Sequence, residues 1–456
     1  MSMRSVPFVL TLLLAGCTVG PDYSPPDLPV PEAYSVATGA DVVPSGGPVW
    51  WRGFDDPVLE GLIERGLAGN LDLAIARARL EEAEALTGVQ RAGLGPTVDL
   101  GADADASTVL SGDGDDTSGA TLTAGFGIVP DLFGGQRRRI EQAEATRAAR
   151  ALQIADVRRL TAASIAERYI ELRRTRARLE LLETSLELQQ QTLDIVRQRA
   201  EAGLSADLDV QRAASDLART RAQRGNLDIA RARAEHDLAI LTGQAPSGAG
   251  IVPDGDTGIP VFAGGPPAGV PADLVRQRPD LQAAERELAA ANAAVGVATA
   301  DLYPSLELPG RITADLGSAD QLVGDVTARL AAAVSMPVYD GGRRQATIAA
   351  AEARARQASL AYRQTLLDAL GEVETALVTI SAVDARTREL DRAVEASQQA
   401  FDQLDALYRE GLASFIDILD AQRTLISSRE SQVDSQADFA LSLVSLYAAL
   451  GAPVDL

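Results

Sequence analysis

Two hydrophobic patterns alternate along the chain. In four short segments an apolar residue occupies every second position, which is the period of a β-strand with one apolar face. Between them apolar residues follow helical spacing, and in one segment leucines recur every seventh position from Leu172 to Leu193. Residues 136–201 contain neither Pro nor Gly, so they predict one helix of about 100 Å. The pattern therefore predicts very long coiled-coil helices joined to a few strands.

The same order of elements occurs twice. Gly203 and Leu204 interrupt one helical pattern, and Gly411 and Leu412 interrupt another 208 positions later. Self-similarity at a fixed spacing is the signature of a repeated architecture. The predicted fold is an α+β membrane protein with a two-fold internal repeat, in which each half has a β-hairpin and a long coiled-coil helical hairpin.

The repeat also predicts the boundaries of the segments. Residues 57–242 form the first repeat and residues 272–451 the second. A linker over 243–271 joins them level with the middle of the long helices, and a tail follows over 452–456. The predicted strands and long helices are about 97–110, 118–129, 136–201 and 206–242 in the first repeat and about 305–316, 326–336, 343–410 and 414–450 in the second.

The alternating segments allow two interpretations. One is a half-buried hairpin over a soluble core, and the other is a membrane barrel strand with its apolar face toward lipid. A strand of about 14 residues, tilted by about 40°, spans roughly 35 Å and can cross an outer membrane. Four strands cannot close a barrel, so we expect the chain to oligomerise. Two copies would give a filled barrel, whereas three would give twelve strands around a water-filled conduit, which the polar inward faces favour.

The N-terminus has the form of a bacterial lipoprotein signal. A basic residue precedes an apolar run, and small residues precede Cys17, the only cysteine. Removal of residues 1–16 would leave Cys17 carrying diacylglycerol on its thiol and an acyl chain on its amine, which is a durable anchor. The alternative is an ordinary secretory signal with an incidental cysteine. Residues 17–56 are rich in Pro and predict a tether, with Trp50 and Trp51 as a packing anchor or an interfacial belt.

Composition narrows the classes of function. The formal charge of −22 disfavours nucleic-acid binding, which requires a basic surface. One His and one Cys give no basis for a zinc cluster or a Cys/His catalytic pair, so we expect neither an enzyme nor a metal or other cofactor. Some arginines lie at predicted helix starts, where the helix dipole disfavours cations, and we expect lipid phosphates as their partners. They are Arg137, Arg138, Arg139, Arg343 and Arg344.

Together these motifs resemble the TolC-like outer-membrane efflux family, and within it the lipoprotein branch of OprM- and NodT-like proteins that serve resistance-nodulation-division (RND) pumps. The resemblance extends over essentially the whole mature chain. It implies a homotrimer with a twelve-stranded barrel in outer-membrane lipid and a helical tunnel across the periplasm, docked to a periplasmic adaptor protein and an inner-membrane RND pump. The matching motifs are residues 17–23, 50–57 and 70–72, the turns at 130–135 and 337–342, and both Gly-Leu breaks.

The resemblance assigns adaptor docking to the two Gly-Leu breaks, which we call the first tip (Gly203 and Leu204) and the second tip (Gly411 and Leu412). At each tip the alternative is an ordinary helix-ending glycine, and both descriptions can hold together. A tight turn is what would present the two leucines to a partner.

The resemblance also implies a periplasmic gate, mostly on the second helical hairpin. Ala413 stands where the family's mouth lock has an arginine, so the lock departs from the family pattern. Asp417 could instead cap its helix, because it follows Ser414 in a capping-box pattern. If Asp417 and Asp420 form rings in a trimer, mutual repulsion should raise some of their pKa values. The implied gate residues are Asp417 and Asp420 as acidic rings, Arg423 as a basic residue that holds the mouth shut, Tyr408 as the lock tyrosine, and Asp209 in the region of its acidic partner.

The implied function is export of drugs or other small molecules across the outer membrane. A type I protein-secretion duct shares this fold and is the main alternative, and a structural envelope lipoprotein is a third. The lipoprotein signal and the Pro-rich N-terminus favour small-molecule efflux over protein export. The second hairpin carries most of the gate residues, so we expect it to gate while the first packs and docks.

Overall fold

A computed structural model describes residues 18–27, 34, 49–113, 117–246, 250–253, 255, 258–263, 272–316 and 324–452. Cys17, the signal segment before it and residues 453–456 lie outside the described residues. Short 3₁₀ helices occur at Trp50–Phe54 and Ala272–Gln277. The α-helices are α1 (Pro57–Gly69), α2 (Leu71–Ala92), α3 (Gly135–Glu201), α4 (Asp207–Leu241), α5 (Pro279–Ala300), α6 (Arg343–Arg409) and α7 (Phe415–Ala449). The strands are β1 (Thr97–Ser107), β2 (Thr117–Ile128), β3 (Ser305–Leu316), β4 (Val326–Leu330) and β5 (Ala333–Ser335).

The chain divides into two compact units, and each unit draws residues from both sequence repeats. The sheet unit comprises Met1–Leu28, Ala78–Leu152 and Gln282–Gln364, and the tip unit comprises Pro29–Arg77, Gln153–Leu281 and Thr365–Leu456. The duplicated halves of the sequence are therefore not the compact units of the fold. Among the described helices, none combines the length and the apolar character needed to cross a membrane.

The sheet is antiparallel in the order β1–β2–β3–β4, with β5 also paired to β3. Its register places Val98 opposite Phe126, and Ile312 opposite both Ala124 and Ala328. Because side chains alternate between faces, this register brings the apolar positions of successive strands to one face. Large apolar residues of that face are exposed in the single chain, so the predicted alternation is confirmed.

The fourth predicted strand is interrupted. The sequence predicts one strand over about 326–336, but the structure has β4 and β5 with two residues between them. Opposite this break lies Pro309 of β3. The Ala331 N–H donates to the Pro309 carbonyl at 2.9 Å, but proline has no N–H with which to complete the pair. The missing ladder bond explains why the strand divides here.

The two tryptophans form a packing anchor within the tip unit. Trp50 and Trp51 are each about 1% exposed, and the Trp50 ring stacks on Tyr447 with centroids 5.6 Å apart. Phe54 meets Trp50 edge to face, with centroids 6.4 Å apart. The alternative of an exposed interfacial belt is therefore wrong.

The end of one helix meets the start of an earlier one at two equivalent junctions in the tip unit. The Asn70 side chain accepts from the Leu73 N–H at the start of α2 and donates to the Leu241 carbonyl at the end of α4. In the second repeat Arg278 donates to the Ala449 carbonyl at the end of α7, at 2.7 Å. Both donor and acceptor lie 208 positions after their counterparts. The repeat therefore preserves the contact while it changes the donor from an amide to a guanidinium.

Protein carboxylates lie beside the arginines at the starts of α3 and α6. The Asp131 carboxylate accepts from the backbone N–H groups of Gln136 and Arg137, and Asp340 does the same for Arg344. Arg138 is buried and bonds within the chain. These carboxylates offset the helix dipole at both starts. Contact of these arginines with lipid phosphates stays a prediction.

Candidate functional site at the helical tips

Both tips are built by the same backbone turn. At the first tip the Leu204 N–H donates to the Arg199 carbonyl at 2.8 Å, and the Gly203 N–H donates to Ala200 at 2.9 Å. The second tip repeats these bonds from Leu412 and Gly411. This is the Schellman arrangement, which needs a left-handed residue just after the helix. Gly203 and Gly411 supply it with φ of 75° and 80°.

The leucine after each glycine projects away from the protein. In a Schellman motif this position often packs back on the helix that has just ended. Here Leu204 is 70% exposed and Leu412 is 71% exposed. Large apolar side chains displayed at matched positions are typical of an interaction surface. The geometry therefore agrees with the helix-ending role of both glycines and leaves both leucines available to a partner.

The first turn of α7 is closed by a capping box. The Ser414 side chain accepts from the Asp417 N–H, and the Asp417 carboxylate accepts from the Ser414 N–H at 3.2 Å and from its hydroxyl at 2.6 Å. These bonds hold the pKa of Asp417 below its usual range. The direction is opposite to the rise expected from repulsion between rings in an assembly. Capping is therefore a role of Asp417 within the single chain.

Asp420 lies one turn further along α7 and is exposed. Among the described residues no side chain donates to its carboxylate, so helix capping gives no account of this charge. Asp209 occupies the position in α4 that corresponds to Asp417. It accepts from the Ser205 hydroxyl at 3.2 Å, but the residue at the N-cap of α4 is Ala206, which makes no side-chain cap.

Arg423 bonds to an aspartate that sequence reasoning did not identify. Its Nε and Nη2 atoms donate to Oδ1 of Asp216 at 3.0 and 2.7 Å. Asp216 lies on α4 of the first hairpin, is largely buried and also accepts from Gln189 at 3.2 Å. The pair therefore connects the two hairpins. The available signal was the position of Asp216 in the buried seam between Ala213 and Leu217.

Tyr408 also has a partner that the sequence did not reveal. The Arg199 guanidinium lies over the Tyr408 ring at 4.8 Å and donates to the Tyr408 carbonyl at 2.8 Å. Such cation–π contacts are stronger when they are shielded from water, and Tyr408 is buried. Burial also raises the pKa of the tyrosine hydroxyl. Arg199, in the last turn of α3, therefore contacts the tyrosine although Ala413 replaces the family's lock arginine.

One apolar core lies beneath both tips. Its members come from both hairpins, so a displacement of one hairpin must disturb packing made by the other. Phe415, directly after the second tip, meets the Tyr408 ring with centroids 6.2 Å apart. The buried core residues are Leu193, Val196, Ala213, Leu217, Phe401, Tyr408, Phe415, Ile418, Leu419 and Leu425.

The whole fold is similar to a solved membrane channel. The outer-membrane channel OprN superposes with a TM-score of 0.86 and 33% sequence identity, over 96% of this chain and 99% of that one. Two duplicated helical hairpins, together with an antiparallel sheet that has an exposed apolar face, define the same class of protein. This class is the outer-membrane efflux channel.

The sequence matches the outer membrane efflux protein family over residues 62–244 and 270–452. Nodulation protein T of Rhizobium leguminosarum bv. trifolii is 31% identical over 98% of this chain and 96% of its own length. The pyoverdine export outer membrane protein OpmQ of Pseudomonas putida is 30% identical over 97% and 96%. The chain belongs to the outer membrane efflux protein family, as its sequence motifs predict.

Proposed function

We propose that the chain works as a homotrimer, the outer-membrane duct of a tripartite assembly that exports small molecules. The observation that carries the proposal is that the sheet is open, with β1 at one edge and β4 at the other. Among the described strands β1 pairs with β2 alone, and β4 pairs with β3 alone. Exposed strand edges invite pairing with another chain, and closing the sheet removes them. Three copies give twelve strands, enough to enclose a conduit.

The internal repeat specifies how neighbouring copies should pair. Thr97 of β1 lies opposite Gly127 of β2, and Ser305 of β3 lies opposite Ser335 of β5. Each residue of the second pair lies 208 positions after its counterpart in the first, so the two hairpins have the same register. Within the chain β2 pairs with β3 so that Phe126 lies opposite Gly310. Val334 lies 208 positions after Phe126, and Ala102 lies 208 positions before Gly310. If neighbouring copies pair as β2 and β3 do, Val334 of one copy lies opposite Ala102 of the next.

A crosslinking experiment tests this register. The double variant Val334→Cys with Ala102→Cys should form disulfide-linked trimers in membranes under mild oxidation. The matched control, Val334→Cys with Ala106→Cys, keeps both cysteines on the same face but four residues out of register. Each single variant should leave monomers on a denaturing gel. Efficient crosslinking of the control pair, or of dimers alone, would contradict the proposal.

The gate is proposed to lie at the second tip. Asp417 and Asp420 are three residues apart on α7, so in a trimer they would surround the axis with six carboxylates. The Arg423–Asp216 pair supports this assignment, since it fastens α7 of the gating hairpin to α4 of the other. Tyr408 and Arg199 would brace the same hairpin, and Asp209 would stabilise the first tip rather than gate.

Docking is proposed at Leu204 and Leu412. Their exposure at matched turns supports contact with a periplasmic adaptor protein, which in turn would connect the duct to an inner-membrane RND pump. One relative is named for nodulation and another for pyoverdine export, so the names of the relatives do not point to a single cargo. We propose that the pump selects the cargo. A duct for type I protein secretion remains the second candidate, and the genes next to this one would separate the two.

Attachment to the outer membrane is proposed to include a lipid on Cys17. The support is the sequence signal before that residue. Mass spectrometry of the N-terminal peptide would test it, because a lipidated cysteine starts the mature chain and carries the mass of the acyl groups. An unmodified cysteine within a longer peptide would overturn it.

A further inference from the structure

Residues 18–23, directly after the proposed lipidation site, form neither helix nor strand and belong to the sheet unit, and we call this segment the strap. The Val19 N–H donates to the Phe133 carbonyl at 3.1 Å, in the turn that leads into α3. Thr18 packs on Gly134 of the same turn, where an added Cβ would lie 2.6 Å from the threonine methyl group. The strap is therefore in contact with the body from its first described residue.

Arg138 is the main receptor for the strap. Its guanidinium donates to the Val19 carbonyl at 3.2 Å, to the Gly20 carbonyl at 3.3 Å and to Asp22 Oδ1 at 2.7 Å. Its other described bond goes to Glu141. The Arg138 side chain is only 4% exposed, and a buried cation is costly unless it is paired and hydrogen-bonded. Three of the four described hydrogen bonds of the Arg138 guanidinium go to the strap.

A close backbone contact fixes the strap against α5. Gly20 has φ of 90°, and an added Cβ would lie 2.4 Å from the Gly296 Cα. Glycine is therefore required on two grounds, the left-handed backbone and the lack of space. The Gly296 position is crowded in turn by the Arg138 side chain, which would lie 2.9 Å from a Cβ there.

The strap continues along one face of α5. Asn292 donates to the Pro21 carbonyl at 3.2 Å, and the Tyr23 hydroxyl donates to Glu285 at 3.3 Å. Burial and the neighbouring Glu285 carboxylate raise the pKa of Tyr23 to about 12. Residues 285 and 292 are seven positions apart, which places them on the same side of the helix.

The positions equivalent to Arg138 and Gly296 under the repeat lack this arrangement. The position 208 residues after Arg138 is Ala346, and the position 208 residues before Gly296 is Gly88. An added Cβ at Gly88 would meet nothing within 4 Å among the described residues. A chain has two repeats but one N-terminus. Arg138 belongs to the first repeat and Gly296 to the second, and only this pair, not its counterpart Ala346 and Gly88, combines an arginine with a crowded glycine among the described residues.

We propose that Arg138 and Gly296 form a clasp for the strap, and that the clasp fixes where the lipid on Cys17 leaves the body, beside the turn between β2 and α3. The proposal rests on the lipid anchor proposed above. In this arrangement the lipid is not tied to a loose tether. Its attachment point is held at the junction between the strands and the long helices, so the anchor and the sheet enter the membrane at a set relative position.

Hydrogen exchange of the purified full-length protein in detergent tests the clasp. In Arg138→Gln we expect the Val19 amide to exchange about tenfold to a hundredfold faster, because charge-assisted hydrogen bonds are lost. Arg137→Gln is the matched control. Arg137 is the neighbour of Arg138 in sequence, but it is exposed and bonds to Asp131 rather than to the strap. A nitroxide on Ser24→Cys should become mobile in Arg138→Gln and stay immobile in Arg137→Gln.

Asp22→Asn is a second test of the clasp that does not depend on a change in the core. Asp22 is 94% exposed, so its substitution cannot disturb the core, and we expect a smaller increase in Val19 exchange. Unchanged exchange in both Arg138→Gln and Asp22→Asn would overturn the clasp. The mass of the N-terminal peptide gives a separate result. A protected Val19 amide on a chain without lipid would leave the strap in place but overturn its role in positioning an anchor.

Discussion

The first and second tips share one backbone turn and differ in the side chains that follow it. After the second tip Ser414 and Asp417 close a capping box, whereas α4 after the first tip starts at Ala206 without a side-chain cap. An ion pair joins the two hairpins, with Arg423 on the second and Asp216 on the first. Duplication has kept the turn, which presents a leucine, and has changed the polar groups, which control the hairpin's attachment. We therefore expect docking to be symmetric between the tips and gating to be asymmetric.

The largest expected effect concerns the feature that the tips share. Leu204→Glu and Leu412→Glu place a charge on an apolar contact, and we expect either variant to abolish crosslinking to the adaptor protein. Trimers should remain intact, because neither leucine is buried in the chain. Ile229→Glu is the control, an apolar residue of α4 with 69% exposure away from the tips. If only one tip variant lost crosslinking, docking would be asymmetric too.

The next effect tests the difference between the tips. Asp417→Ala combined with Asp420→Ala removes the proposed acidic rings, and we expect a several-fold rise in single-channel conductance or antibiotic uptake. Asp209→Ala, at the corresponding position of the first hairpin, should leave conductance unchanged. Equal effects of the two substitutions would remove the functional asymmetry, and unchanged conductance in the double variant would end the ring assignment.

The smallest effect concerns the capping box. Asp417 has a folded-state pKa below its usual value of 3.8, so its contribution to tip stability is present above that value and is lost as the pH falls through the folded-state pKa. Ser414→Ala should return this pKa toward 3.8, because the Ser414 bonds cause the shift. Carbon-13 chemical shifts of the labelled carboxyl group measure the change. Ser205→Ala, at the first tip, is the control and should leave the pKa of Asp417 unaltered.

Local features of the fold were accessible from the sequence. The strand alternation depends on side-chain period, and each tip depends on a glycine that adopts a left-handed backbone, so neighbouring residues carry the signal. The break between β4 and β5 was missed because it is caused by Pro309 on another strand. Its own segment, Val326 to Met336, keeps an apolar residue at every second position across the break.

The partners of the predicted gate residues were harder to find. Asp216 and Arg423 form a hydrogen bond although they are 207 positions apart in the sequence, and Arg199 contacts Tyr408 across 209 positions. Which residues meet depends on how the long helices rotate against one another, and heptad spacing identifies the buried seam without fixing its partner. Arg138 shows the same limit. Its partners lie in the strap more than a hundred positions earlier.

The central claim is that the Asp216–Arg423 pair holds the second hairpin against the first, and single-channel conductance of a double-mutant cycle tests it most directly. Asp216→Asn and Arg423→Gln should each raise conductance, and the double variant should raise it no further than the larger single effect. The charge exchange, Asp216→Arg with Arg423→Asp, should return conductance toward that of the original protein. Additive single effects with no recovery on charge exchange would contradict the claim.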